Sequence, residues 1–128
     1  MKLLLLMITV NVSVGELLDK ISILQIKSEK IDDIDKLANI HNELNHLTTV
    51  ACDHRLPELE AQLRKVNEAL WDIEDRIRVK EKMSEFDDEF IELARLVYIT
   101  NDKRADIKRE INLVSNSDLI EEKFYSTG

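Results

Sequence analysis

Apolar residues recur along most of this chain at spacings of three and four, the period that returns side chains to one face of an α-helix. The clearest run is Leu56, Leu59, Leu63, Val66, Leu70, Ile73 and Ile77. It alternates three and four without a fault over about three heptads, the seam of a coiled coil. Phe86, Phe90, Leu93, Val97, Thr100, Arg104, Ile107, Ile111 and Val114 continue the same spacing after a break at Met83-Ser84-Glu85. The two runs predict a long antiparallel hairpin of helices over about 57–82 and 87–114, with Pro57 in a first helical turn and Ser84 or Asp87 as the second cap.

Two shorter helices precede the hairpin. Ser13-Val14-Gly15-Glu16 is a capping box, which opens a helix over 14–30. Leu17, Ile21 and Leu24 share one face of it, and Leu18, Ile23 and Ile26 widen that stripe enough to meet more than one neighbour. Asp32 or Asp33 caps a helix over 34–51, where Leu37, Ile40, Leu44, Leu47 and Ala51 form the apolar row. Cys52 to Arg55 is a loop. After Ser115-Asn116-Ser117 one more short helical turn is expected over 118–123, within a tail of 116–128.

The chain begins with a different pattern. Residues 3–8 are apolar behind a single Lys2, but the run lacks a small-residue cleavage site and is too short to span a membrane. Residues 1–6 read as an extension upstream of a start at Met7. Ile8 to Val12 is β-branched and alternating, so a short N-terminal strand is expected. The fold class is all-α, a four-helix bundle-like single domain over 1–128.

Composition narrows the function classes. Two glycines and one proline in 128 residues exclude the turn-rich β folds. The net charge of −8 and the lack of an aromatic and basic platform argue against nucleic acid. One cysteine forms no internal disulfide and fits the cytoplasm. His41, His46, Cys52 and His54 are zinc-type ligands, but His41 and His46 lie about 140° apart around a helix, and no metal or cofactor is expected.

Polar residues interrupt the seam. In a hairpin closing near Ser84, residues whose numbers sum to about 170 face each other. This sets Arg104 near Asn67 and Glu68, and Trp71 near Thr100, with Asp72 and Asp75 one turn on toward Tyr98 and Arg95. A polar layer of Asn67, Glu68, Asp72, Thr100, Asn101 and Arg104 results, in which Glu68 or Asp72 is the expected counter-charge of Arg104. Such a layer fixes register in coiled coils. As a ligand site it would comprise Trp71, Asp72, Asp75, Arg95, Tyr98, Asn101 and Arg104.

The motifs also carry a resemblance. Ser13-Val14-Gly15-Glu16-Leu17-Leu18-Asp19-Lys20-Ile21, Leu70-Trp71-Asp72-Ile73-Glu74-Asp75 and Thr100-Asn101-Asp102-Lys103-Arg104-Ala105 resemble the signatures of a small, functionally uncharacterised family of bacterial and phage proteins. The resemblance runs from Met7 onward and implies no activity and no catalytic residues.

Two enzyme chemistries match parts of this pattern. Asp72 and Asp75, Glu85 and Asp88, and Glu89 and Glu92 have the i, i+3 spacing with which helical nucleotide pyrophosphohydrolases hold Mg²⁺, but so acidic a helical chain makes such pairs by chance. Arg76, Arg78, Arg95, Arg104 and Lys108 supply the charge of a chorismate-mutase-like site, yet only Arg104 points into a seam. The expected function is a self-associating helical assembly protein, most simply a dimer, with room for another protein partner and no membrane contact. The alternative is a small-ligand-binding protein or metal-dependent nucleotide hydrolase that uses the hairpin's polar cluster.

Overall fold

The computed structural model describes residues 6–124, and among them the chain is all-α with four helices. These are α1 (Val14–Lys30), α2 (Ile34–Val50), α3 (Pro57–Lys82) and α4 (Asp88–Val114). Each expected boundary lies within a residue or so of the observed one, because the caps are local. Ser13 Oγ accepts from the Glu16 amide at 3.0 Å, and Asp33 and Asp87 accept from the amides of Lys36 and Phe90, each at 3.0 Å. Of the two expected caps for α4, Asp87 is the one used. Ser84 instead takes a left-handed φ of 55°, and the Glu85 amide donates to the Lys80 carbonyl at 2.9 Å, closing α3 in a Schellman turn. Asn116 ends α4 in the same way, with the Ser117 amide donating to the Asn112 carbonyl at 2.9 Å.

The helices α3 and α4 pack along each other as an antiparallel hairpin. At 26 residues α3 is about 39 Å long, and α1, at 17 residues, is about 26 Å. The hairpin tip is tied by charge. Lys80 Nζ lies 2.8 Å from Asp87, 3.2 Å from Glu85 and 3.2 Å from Glu89. The first helix, α1, is the hub, since it packs on α2, α3 and α4, whereas the backbone of α2 approaches α1 alone. The core gathers where these elements meet, around Leu17, Leu18, Ile21, Ala51, Leu63 and Ile111, with Leu44, Leu47, Leu56, Leu59 and Ile107 packed on its rim.

Two local expectations are corrected. Ile8 to Val12 forms no strand and is exposed, since an all-helical neighbourhood offers no edge to pair with. Residues 118–123 form no helical turn. Their side chains anchor them to α4 instead: Glu121 approaches Lys108 at 3.5 Å and Glu122 pairs with Arg109.

Candidate functional site

The most polar part of the interior lies where α1 crosses the hairpin. The buried positions of α1 include a row, Gly15, Asp19, Ser22 and Ile26, spaced four, three and four. Its first three members are small or polar where the rest of the buried surface of α1 is branched and apolar. It lies along a face that the hairpin covers, and each member meets a specific partner there except Ile26, which is simply buried.

Asp19 is the centre. Its side chain is 1% exposed, and an ionised carboxylate so placed must be paired. Arg104 supplies the pairing, with Nε donating to Oδ1 at 3.0 Å and to Oδ2 at 3.1 Å and a terminal nitrogen donating to Oδ2 as well. Asn67 Nδ2 donates to Asp19 Oδ1 at 3.0 Å and to Ser22 Oγ at 3.2 Å. One turn back, Lys108 Nζ lies 2.7 Å from Glu16 and 3.8 Å from Asp19. The hydrogen bond to Asp19 holds the Arg104 pKa above its ordinary value. Burial works against the Lys108 ammonium, but the hydrogen bond to Glu16 and the charges of Asp19, Glu16 and Glu121 outweigh it and raise its pKa. Both cations therefore stay charged at neutral pH.

The N-terminus of α1 closes on the end of α4. A helix begins with four amides that have no partner within it. Here Val14 N donates to Ser117 Oγ at 3.3 Å, Gly15 N to Asn112 Oδ1 at 2.7 Å, Glu16 N to Ser13 Oγ and Leu17 N to the Ser13 carbonyl at 3.1 Å. The amides of Val14, Gly15 and Glu16 are thus satisfied by side chains of the chain itself, and the Leu17 bond is the first of the helix proper. The fit requires glycine at position 15, because a Cβ there would stand 2.6 Å from the Lys108 carbonyl oxygen and 2.9 Å from Asn112 Oδ1.

The residues expected as a ligand site divide between two regions. Arg104 is half-buried in the cluster just described, and Asn101 lines a cavity beside it. Trp71 is half-buried on α3, while Asp72, Asp75, Arg95 and Tyr98 are exposed, further along the hairpin. The counter-charge of Arg104 is neither Glu68 nor Asp72. Glu68 turns outward to Arg64, and Asp72 is exposed. Pairing across the hairpin involves α3 and α4 alone, whereas α1 brings a better-buried carboxylate against the same seam. Of the expected polar layer, Asn67 and Thr100 are buried. Asp19, Ser22, Lys108 and Asn112 are the members that the hairpin reasoning missed. The signal was present in α1, where Asp19 and Ser22, three apart, sit among the apolar residues Leu17, Leu18, Ile21 and Leu24.

Cys52 and His54 lie exposed in the loop after α2, with His41 and His46 exposed on α2 itself. Among the described residues no group of three or more histidine, cysteine or carboxylate side chains is placed to hold a metal ion. No helix among them is long and apolar enough to cross a membrane. No curated protein and no solved structure matches the chain. The motifs that open α1 and run through α4 converge on one buried polar cluster, and the model of a family of unknown function (DUF6165) matches residues 8–128, so the chain belongs to that family.

Proposed function

We propose that this protein is a self-associating helical assembly module, cytoplasmic, in which α2 forms the contact between two copies. One observation carries the reading. Not one of the 17 residues of α2 is buried, although Leu37, Ile40, Leu44 and Leu47 repeat at the spacing of a packed seam. The helix has α1 on one side and neither hairpin helix on the other, so part of its apolar row stays open, and Ile34 at its start is 82% exposed.

Charge favours a second copy as the occupant. Only Asp35, Lys36 and Glu43 are charged in α2, whereas half of α3 is. α2 carries fewer charges than any other helix, so it is the element that two like molecules can bring together while desolvating the fewest charged groups. Two copies of one amphipathic helix meet isologously across a two-fold axis, each burying the same row. Coiled-coil packing suits both this contact and the hairpin seam.

Light scattering on a size-exclusion column tests the reading, with a dimer of twice the 14.9 kDa chain mass as the expected result. The double variant Ile34→Asp with Ile40→Asp sets charge on the open row, away from the rim residues Leu44 and Leu47, and is expected to be a folded monomer. A wild-type monomer at all accessible concentrations, or a variant that remains a dimer, overturns the proposal. A small-ligand-binding role is the second reading. It draws its support from Asn101 and Arg104, which stand beside a cavity rather than on a solvated helix face.

A further inference from the structure

A cavity of about 140 Å³ opens between α4 and the C-terminal segment, on the scale of cavities that admit one small molecule. Its walls include Asn101, Arg104, Lys108, Asn112, Glu121 and Lys123. Three of these six are cationic, and Arg109 adds a fourth positive charge to the lining. Two further donors are uncommitted. Asn112 is 2% exposed, and its amide orientation is set because Oδ1 accepts from Gly15. Among the described residues its Nδ2 donates to nothing, and yet no buried side-chain nitrogen is left enclosed without a partner, so this amide opens on the cavity. Asn101 likewise lines the cavity with an amide that has no partner among the described residues.

Inside the protein, Asp19 and Glu16 face Arg104 and Lys108 from α1. On the cavity side the carboxylate comes from the C-terminal segment, where Glu121 reaches Lys108 at 3.5 Å and Glu122 reaches Arg109. Glu121 is exposed, and the segment around it has no regular structure. A pair at 3.5 Å whose carboxylate stands in solvent is weak and exchanges readily.

We propose that this cavity is a binding site for a small oxyanion, a carboxylate or phosphate group, and that Glu121 occupies its entrance as a tethered competitor. The incoming anion takes the place of the Glu121 carboxylate on Lys108 and receives hydrogen bonds from the Asn101 and Asn112 amides, the donor set that suits charged oxygens. This inference does not depend on self-association, so solution mass and anion binding succeed or fail separately.

Titration of the full chain with inorganic phosphate, and in parallel with succinate, tests the proposal, read by the side-chain amide resonances of Asn101 and Asn112 at constant ionic strength. Saturable shifts with one anion or both are expected, and the anion that saturates identifies the source. Glu121→Gln removes the competitor and is expected to tighten binding about fivefold, the weight of one exposed ion pair. Lys108→Gln should abolish saturation. Because that change also unpairs Glu16, Asn101→Leu serves as a second variant, read at Asn112, with the same expected loss. Absence of saturable shifts with both anions overturns the site. Unchanged affinity in Glu121→Gln overturns the role of the tail.

Discussion

Asp19 and Arg104 stand eighty-five residues apart in sequence and join α1 to α4 through a forked ion pair, with the Arg104 Nε 3.0 and 3.1 Å from the two carboxylate oxygens. The carboxylate is fully buried and the guanidinium half-buried. Removing one member of such a pair leaves the other desolvated and without a partner, at a cost of about 3–5 kcal/mol. Arg104→Leu is therefore expected to destabilise the fold strongly. The double variant with Asp19→Leu should be more stable than Arg104→Leu alone, because no bare charge then remains, although Asn67 loses an acceptor. Urea unfolding of the wild type, both single variants and the double variant checks this. Losses that simply add would show that the two residues do not depend on each other.

Gly15 gives a sharper test of how α1 and α4 meet. A Cβ at this position collides with backbone, the Lys108 carbonyl oxygen at 2.6 Å, which cannot swing aside as a side-chain end would. Gly15→Ala gains about 1 kcal/mol of helix propensity. The overpacking it causes costs about 1–3 kcal/mol and also stretches the bond from Gly15 N to Asn112. A lowered Tm is expected. A raised one would mean that the two helices separate at little cost.

Ser84 holds a left-handed backbone at the turn between α3 and α4, where a side chain is disfavoured. Ser84→Gly is expected to stabilise the protein by about 0.5–1 kcal/mol. Asn116→Gly should gain less, since asparagine tolerates that conformation better than serine. Denaturant midpoints of the two variants give the comparison directly.

Acid should loosen the hairpin tip. The hydrogen bond from Lys80 holds the Asp87 carboxyl below its usual range, helped by the Phe90 amide, and Lys80 followed by Arg76 does the same for Glu89. Carboxyls depressed in the folded state stabilise it above their unfolded pKa of about 4, and that contribution is lost as pH falls through the lowered folded value. Lys80→Gln should move both titrations upward, so the start of α4 loosens at a higher pH. Carboxyl-carbon NMR titrations of Asp87 and Glu89 check this, and unmoved midpoints would remove Lys80 as the cause.

What the sequence by itself determined is the set of helices and their ends. Caps such as Ser13, Asp33 and Asp87 act within three residues, and the three-four period of Leu63, Leu70 and Ile73 specifies which face of α3 turns inward. These are short-range effects, so local spacing reveals them. The arrangement of the polar cluster is different in kind. Arg104 was recognisable as a charge that must be paired, but a helix presents several carboxylates to any neighbour, and hairpin geometry alone offered Glu68 and Asp72. Only the crossing of α1 over the hairpin decided for Asp19, because a buried charge takes the partner that the packing desolvates along with it. The same holds for the C-terminal segment. Its composition permitted a helical turn, and the placement of Lys108 and Arg109 on α4 instead pairs Glu121, which lines the cavity, and Glu122 with that helix.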